Sequence, residues 1–373
     1  MLRQLLATKH PHAAHTEAEG LSLRRTPGPW GLTALGIGAV IGGGIFVITG
    51  QAAANHAGPA IMLSFVLAAI CCTFCALAYA EFAAMVPVSG SAYTYTYATL
   101  GELTAWFIGW MLVLEYGVSA SAVAVSWTGY LLSLLEHANI YLPEAFVSAP
   151  LDAQLRPTGA IANVPAALLV LLLTWLCYVG IRKSSAMNMA MVVLKTGLIV
   201  LVIVAGWQYV DPGNWQPFIP ANEGPGKFGW DGVLRGAAMV FFAYIGFEAV
   251  SVAAQESHRP QKDLPVGMLA SLAICTVLYI AMAAVMTGLV PYTALGTAEP
   301  VVTAVAAHPE LGWLRVTVEI GALIGLSSVV LVMIIGQPRI FMIMGRDGLL
   351  PPVFTKIHPE YRTPHINTVI TGI

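Results

Sequence analysis

Charge is what this sequence has least of. Asp, Glu, Lys and Arg make up 10% of its 373 residues and hydrophobic residues 57%, whereas an ordinary soluble domain carries roughly 25% charged residues. With a mean hydropathy of +0.76, that scarcity excludes a soluble globular domain and points to a chain that crosses a membrane several times. A net charge of −2 and the lack of any basic run offer nucleic acid nothing to bind. There is no His-Glu-x-x-His pair, no zinc-type cysteine spacing and no membrane nucleophile with an evident base, so no catalytic residue, metal or cofactor is expected. Residues 1–29 lack the apolar core of a signal peptide and read as a polar cytoplasmic tail. The cysteines Cys71, Cys72, Cys75, Cys177 and Cys275 all fall in apolar runs, where they serve as small hydrophobes and not as a disulfide framework.

Long apolar runs are what the sequence has in abundance. Crossing the hydrocarbon core takes about 20 apolar residues, and eight runs qualify: Trp30–Ala53, Ala60–Met85, Leu103–Leu135, Val164–Ile181, Ala186–Tyr209, Val233–Ala254, Gly267–Val290 and Val316–Ile343. Leu103–Leu135 is too long for an upright crossing and should tilt. The sequence stops a few residues into a ninth run after Pro364, as a fragment of a longer chain would. Orientation follows from Lys and Arg. With the N-terminus inside, Arg3, Lys9, Arg24, Arg25, Arg182, Lys183, Arg259, Lys262, Arg339, Arg346, Lys356 and Arg362 fall on the cytoplasmic side. Only Arg156, Lys227, Arg235 and Arg315 fall outside.

Two spans carry soft spots. Span one contains Gly42, Gly43 and Gly44 in succession near its midpoint, each costing about 1 kcal/mol of helix propensity relative to alanine. A backbone that leaves the helix here exposes N–H groups that suit an anion such as a carboxylate. The alternative is close helix packing through Gly38 and Gly42. Span six carries Phe241 to Glu248, with an aromatic cluster, Gly246 and an intramembrane acid within about two turns. Paired interruptions five helices apart are what an inverted five-helix repeat places at a transporter's binding site. Residues 30–210 then form a first repeat with spans one to five, and residues 232–373 a second, incomplete one with spans six to eight and the start of nine.

Lys195 stands in the middle of span five, and Ala186–Tyr209 holds no acid to neutralise it. An ammonium at a helix centre costs about 2.5–3.5 kcal/mol on insertion scales and marks a functional site by default. Glu115 in span three is the candidate partner, while Glu81, near the cytoplasmic end of span two, reads as interfacial or structural. Burial lowers the proton affinity of a lysine and a nearby carboxylate raises it, so Lys195 suits a proton-coupling role. A permanent ion pair or snorkelling to an interface are the alternatives.

These residues resemble the amino acid-polyamine-organocation transporters, and among them the cationic amino acid transporter branch. The motifs that carry the likeness run in order through the chain: Gly42-Gly43-Gly44-Ile45-Phe46, Ala57-Gly58-Pro59-Ala60, Pro87-Val88-Ser89-Gly90-Ser91-Ala92-Tyr93, Gly109-Trp110 with Glu115-Tyr116, Phe242 to Glu248, and Arg259 to Gly267. The resemblance implies an all-α multi-pass membrane protein with a five-plus-five inverted repeat and discontinuous spans one and six, here truncated in span nine. It implies that the α-carboxylate of an amino acid sits on the amides of Gly42, Gly43 and Gly44, and its ammonium on carbonyls around Ile41 and around Phe241, Ala243 and Tyr244. It also implies that Lys195 fills the space where sodium-coupled relatives bind a cation, with Ser327 and Ser328 as remnants of that ion site. The partners so implied are an amino acid, protons and the lipid bilayer, in a multi-pass plasma-membrane carrier with its N-terminus in the cytoplasm. Secondary active transport of an amino acid by proton-coupled symport and alternating access is the function so implied; exchange or uniport with Lys195 as a structural cation, and a sensor that binds amino acids without carrying them, are the alternatives. No residue decides between cationic and neutral cargo.

Overall fold

An apolar run that meets no water must satisfy its backbone internally, which a helix does alone. A computed structural model describes residues 28–85, 91–151, 156–180, 185–248 and 259–373, together with residues 8 and 250. Among these, the apolar runs are helical and no strand forms; the only β pairings are two isolated bridges. Most of the N-terminal tail, the segment Pro87 to Gly90, the loop holding Arg182 and Lys183, and most of span six beyond Glu248 lie outside the described residues.

Span one begins as α1, Pro29–Val40, with proline in its first turn where the missing N–H costs nothing. It leaves the helix at Ile41, whose ψ of 108° is extended, and resumes as a π-widened turn, Gly44–Ile48. The short helix Thr49–Ala52 and a second π turn, Ala53–Ala57, carry it to Gly58. Span two is α2, Ile61–Met85. A short helix absent from the sequence reading, α3, Ser91–Thr99, precedes span three, which is α4, Glu102–His137. At 36 residues, α4 is about 54 Å long, well beyond the thickness of a hydrocarbon core. Span four is α5, Val164–Val179, started by Asn163, whose side chain accepts from the Ala166 N–H. Span five is α6, Ser185–Trp207. Span six starts as α7, Gly229–Val240, tightens into a 3₁₀ turn, Phe241–Tyr244, and leaves the helix at Ile245. Span seven is α8, Pro260–Leu289. A loop helix, α9, Pro300–Ala306, leads to span eight, α10, Gly312–Arg346. The last element is α11, His365–Gly372.

Spans two, three, five, seven and eight of the expected eight lie in continuous helical stretches long and apolar enough to cross a membrane. Span four is a shorter apolar helix, and spans one and six are divided at their soft spots. Span eight packs most extensively on span three, and span seven on spans two and one. The large apolar residues left outside, among them Phe74, Leu168, Trp175, Val193 and Val204, form the surface a lipid bilayer covers.

Candidate functional site

The two interruptions meet. A Cβ on Gly44 would fall on the backbone of Ala243, and one on Gly246 would lie 2.8 Å from the Ala39 carbonyl oxygen. Gly246 also has φ +112°, a conformation that L side chains rarely adopt. Spans one and six thus touch backbone to backbone on both sides of their breaks, and side chains larger than hydrogen are excluded from the contact.

Breaking a helix in an apolar interior frees carbonyls that need donors. In span one these are met by side chains from three other spans. Lys195, 1% exposed, donates from Nζ to the Gly38 oxygen at 2.9 Å and to the Ile41 oxygen at 3.1 Å. The fully buried Tyr279 of α8 donates to the Val40 oxygen and to the Ala243 oxygen, each at 3.0 Å, so one hydroxyl bridges both breaks. Tyr130 of α4 donates to the Phe46 oxygen at 2.6 Å. The compensation that the sequence reading sought for Lys195 is therefore supplied at the backbone. Its ammonium sits at the C-terminal end of α1, where carbonyls and the helix dipole both favour a cation. Hydrogen bonds to a charged group contribute about 1.5–3 kcal/mol each, enough for two to offset the insertion cost of about 2.5–3.5 kcal/mol.

On the donor side, no backbone carbonyl among the described residues accepts from the Gly42 or Gly43 N–H. Gly43 lines an open pocket of about 760 Å³ together with Val47, Ile48 and Gln51 of span one, Val113, Gly117, Ser121 and Val123 of span three, and Phe242 of span six, and the exposed Leu114, Val118 and Val125 of span three form its outer edge. That volume is within the usual range for small-molecule sites, roughly 300–1,000 Å³. No charged side chain among the described residues lines it. Its serines Ser121 and Ser126 donate to carbonyls of their own helix, and Gln51 donates to the Thr297 oxygen.

The expected site residues are distributed as follows. Ile41 turns its side chain into the core and its oxygen to Lys195. Gly42 packs on Val329 of span eight, Gly43 faces the cavity and Gly44 makes the close approach to Ala243. Phe241 is 39% exposed, and Phe242 is the span-six aromatic that lines the cavity. Tyr244 is buried and donates its hydroxyl to the Phe65 oxygen of span two at 3.2 Å. Glu115 lies within electrostatic reach of Glu248, whose carboxylate accepts from the Gly246 N–H at 2.9 Å and hydrogen-bonds Tyr116. Ser327 and Ser328 donate to the Leu323 and Gly325 oxygens of their own helix. The stem of Lys195 runs beside Gly325, where an added Cβ would sit 3.7 Å from it. Tyr279 and Tyr130 are not among the residues that the sequence singles out, whereas Phe242 falls within its span-six motif. The available signal was a phenol in an apolar run, since a buried tyrosine hydroxyl nearly always has a partner.

A sequence profile for the family described as amino acid permease matches residues 28–373. The branched-chain amino acid permease BcaP of Bacillus subtilis is 47% identical over 94% of this chain and 73% of its own length. The methylthioribose transporter of Bacillus subtilis is 45% identical over 100% of this chain and 78% of its own length. The chloroplastic cationic amino acid transporter 9 of Arabidopsis thaliana is 39% identical over 91% of this chain and 58% of its own. Among solved structures, that of MhsT in complex with L-phenylalanine superposes with a TM-score of 0.66, at 14% identity, over 94% of this chain and 78% of that one.

Proposed function

The chain belongs to the amino acid permease family, and from that premise we propose that it is a secondary transporter carrying a neutral amino acid with an apolar side chain together with a proton. The observation that carries this reading is Lys195. A titratable cation holds the freed carbonyls of span one at the point where span one meets the break in span six. With the lysine protonated, the C-terminal end of α1 is fixed to span five; with the proton gone, two charge-assisted bonds weaken and the half-helix is released. Protonation thereby sets which arrangement of the broken spans is favoured, the requirement for coupling a proton to alternating access. Glu115 and Glu248 are the carboxyl groups near the span-six break.

The amides of Gly42 and Gly43 take the cargo carboxylate, and carbonyls near Ile41 and from Phe241 to Tyr244 take its ammonium. Support for an uncharged side chain comes from the pocket, whose lining of Val47, Val113, Val123 and Phe242 includes no carboxylate among the described residues to pair with a cationic cargo. The cargo named for BcaP agrees with that chemistry. Residues 30–210 and 232–373 are the two inverted repeats in this reading, set in the plasma membrane with the N-terminus in the cytoplasm, as the distribution of Lys and Arg favours.

Reconstitution of the full-length protein in proteoliposomes tests the proposal, with leucine, isoleucine, valine, phenylalanine, arginine, lysine and methylthioribose as cargo. Uptake of the apolar amino acids is expected to follow an inward proton gradient and to collapse with a protonophore. Lys195→Ala is expected to keep cargo binding while losing proton dependence. Counterflow without net uptake would instead identify an exchanger, and preferential uptake of arginine or methylthioribose would overturn the cargo assignment.

A further inference from the structure

At the N-terminal end of α10 lies a buried ionic cluster remote from the breaks in spans one and six. Glu319 is fully buried, and its Oε1 accepts from Ser133 Oγ of α4 at 2.6 Å and from Arg315 Nε at 3.2 Å. Arg315 also reaches Ser133 Oγ at 3.4 Å. His137 Nδ1 of α4 stands 3.9 Å from the same carboxylate oxygen, with 40% of its side chain exposed. The cluster is thus open to water at the imidazole and closed at the carboxylate. The second oxygen of Glu319, Oε2, is sealed from solvent and has no hydrogen-bond partner.

Two more carboxylates act on this cluster. Glu299, which precedes α9, is held above the usual carboxylate range, first by burial and then by the charge of Glu136, with Arg315 opposing and Glu319 adding to the shift. Against Glu136 and Glu319 stands the guanidinium of Arg315, so among the described residues the cluster carries excess negative charge whenever His137 is neutral.

The chemistry selects the ligand. A buried carboxylate oxygen without a donor costs about 1–3 kcal/mol or more, and a proton relieves that cost without needing space. No three His, Cys, Asp or Glu side chains among the described residues converge closely enough to hold a metal ion, and the negative excess repels anions. We infer that His137 and Glu319 form an outward-facing proton-binding site at the paired ends of spans three and eight, holding one proton on the otherwise unpartnered Oε2 of Glu319, with the half-exposed imidazole, 3.9 Å from Oε1, as its water-facing neighbour. Arg315 and Ser133 position the carboxylate, and Glu136 adds negative charge beside it. The assignment rests on the proposed orientation and proton coupling.

Glu319 lies six residues before Gly325, about 9 Å along the helix, and Gly325 is where the stem of Lys195 packs. Leu198 packs on Gly321 between the two. The outer site and the lysine are therefore separate in this conformation and can be tested separately.

Two measurements on the full-length protein decide the matter. In proteoliposomes with internal and external pH set independently, His137→Gln and Glu319→Gln are each expected to move the external-pH midpoint of uptake by about one unit, a tenfold change in protonated fraction. Dependence on internal pH is expected to stay as in the wild type. In infrared difference spectra, a protonated-carboxyl band that titrates with pH is expected in the wild type and absent from Glu319→Gln. Should Glu319→Gln fail to fold, the half-exposed His137→Gln carries the transport measurement and is expected to displace the same band's titration. Unchanged external-pH midpoints with an unaltered band would overturn the site. Uptake indifferent to any proton gradient in the wild type would overturn the coupling reading instead, leaving the infrared band to decide the site alone.

Discussion

Lys195 and Tyr279 are satisfied by the same chemistry, although only one of them stood out in the sequence. A charge in an apolar run is conspicuous on its own, but its acceptors, the Gly38 and Ile41 oxygens, are backbone atoms 157 and 154 positions away and leave no trace in residue types. Residue types display only an acid such as Glu115 as a neutralising partner. Tyr279 looks like an ordinary aromatic until the fold places its hydroxyl between two freed carbonyls. Removing that hydroxyl leaves both without their donor, so Tyr279→Phe should destabilise the purified protein by about 1–3 kcal/mol, seen as a lowered unfolding temperature. Tyr130→Phe, which frees the Phe46 oxygen alone, should cost less. An unchanged unfolding temperature for Tyr279→Phe would mean that other donors replace the phenol.

Among the elements, the broken spans were legible because helix breakers in lipid have few uses. Three successive glycines and the Gly246 segment located both interruptions to within a turn. What they did not reveal is that the breaks touch, since neither the Gly44 approach to Ala243 nor the Gly246 approach to Ala39 is a sequence-local property. Two of these glycines should therefore tolerate nothing larger. Gly44→Ala and Gly246→Ala are expected to abolish uptake, the latter also through a positive φ that costs an L residue roughly 1–2 kcal/mol. Gly197→Ala serves as the contrast: it lies in α6 two residues from Lys195, with open space around an added Cβ. Gaining up to about 1 kcal/mol of helix propensity, it should retain full uptake. Equal loss in all three would show that the region tolerates no substitution and that the contact is not the cause.

For the molecule as a whole, apolar character marks the outside as well as the inside, so composition alone could not say which face of a helix is core. Val193 is 63% exposed and Lys195 is 1% exposed, two residues apart on one helix. Burial inside the protein, with carbonyls to meet it, makes the lysine affordable; the neighbouring face offers only lipid. Val193→Lys should thus lower the membrane-inserted yield, given a cost of about 2.5–3.5 kcal/mol at a helix centre, although it adds the same side chain that position 195 already holds. Normal insertion of that variant would place Val193 against a polar neighbour.

The sequence by itself determined that the chain is helical and membrane-spanning, where the spans run, which two are interrupted and that position 195 places an ammonium in an apolar run. Each of those follows from local composition: hydropathy sets the spans, glycine sets the breaks, and an ammonium in hydrocarbon has to be compensated. Only the tertiary structure decided what compensates it, because the acceptors are carbonyls exposed by the break in another helix. It alone brought Tyr279 between the two interruptions, put Phe242 and not Phe241 at the cavity, and assembled Ser133, His137, Arg315 and Glu319 from two helix ends. Contacts between distant segments depend on how helices pack, and residue type along one helix does not encode which carbonyl or carboxylate will arrive from another.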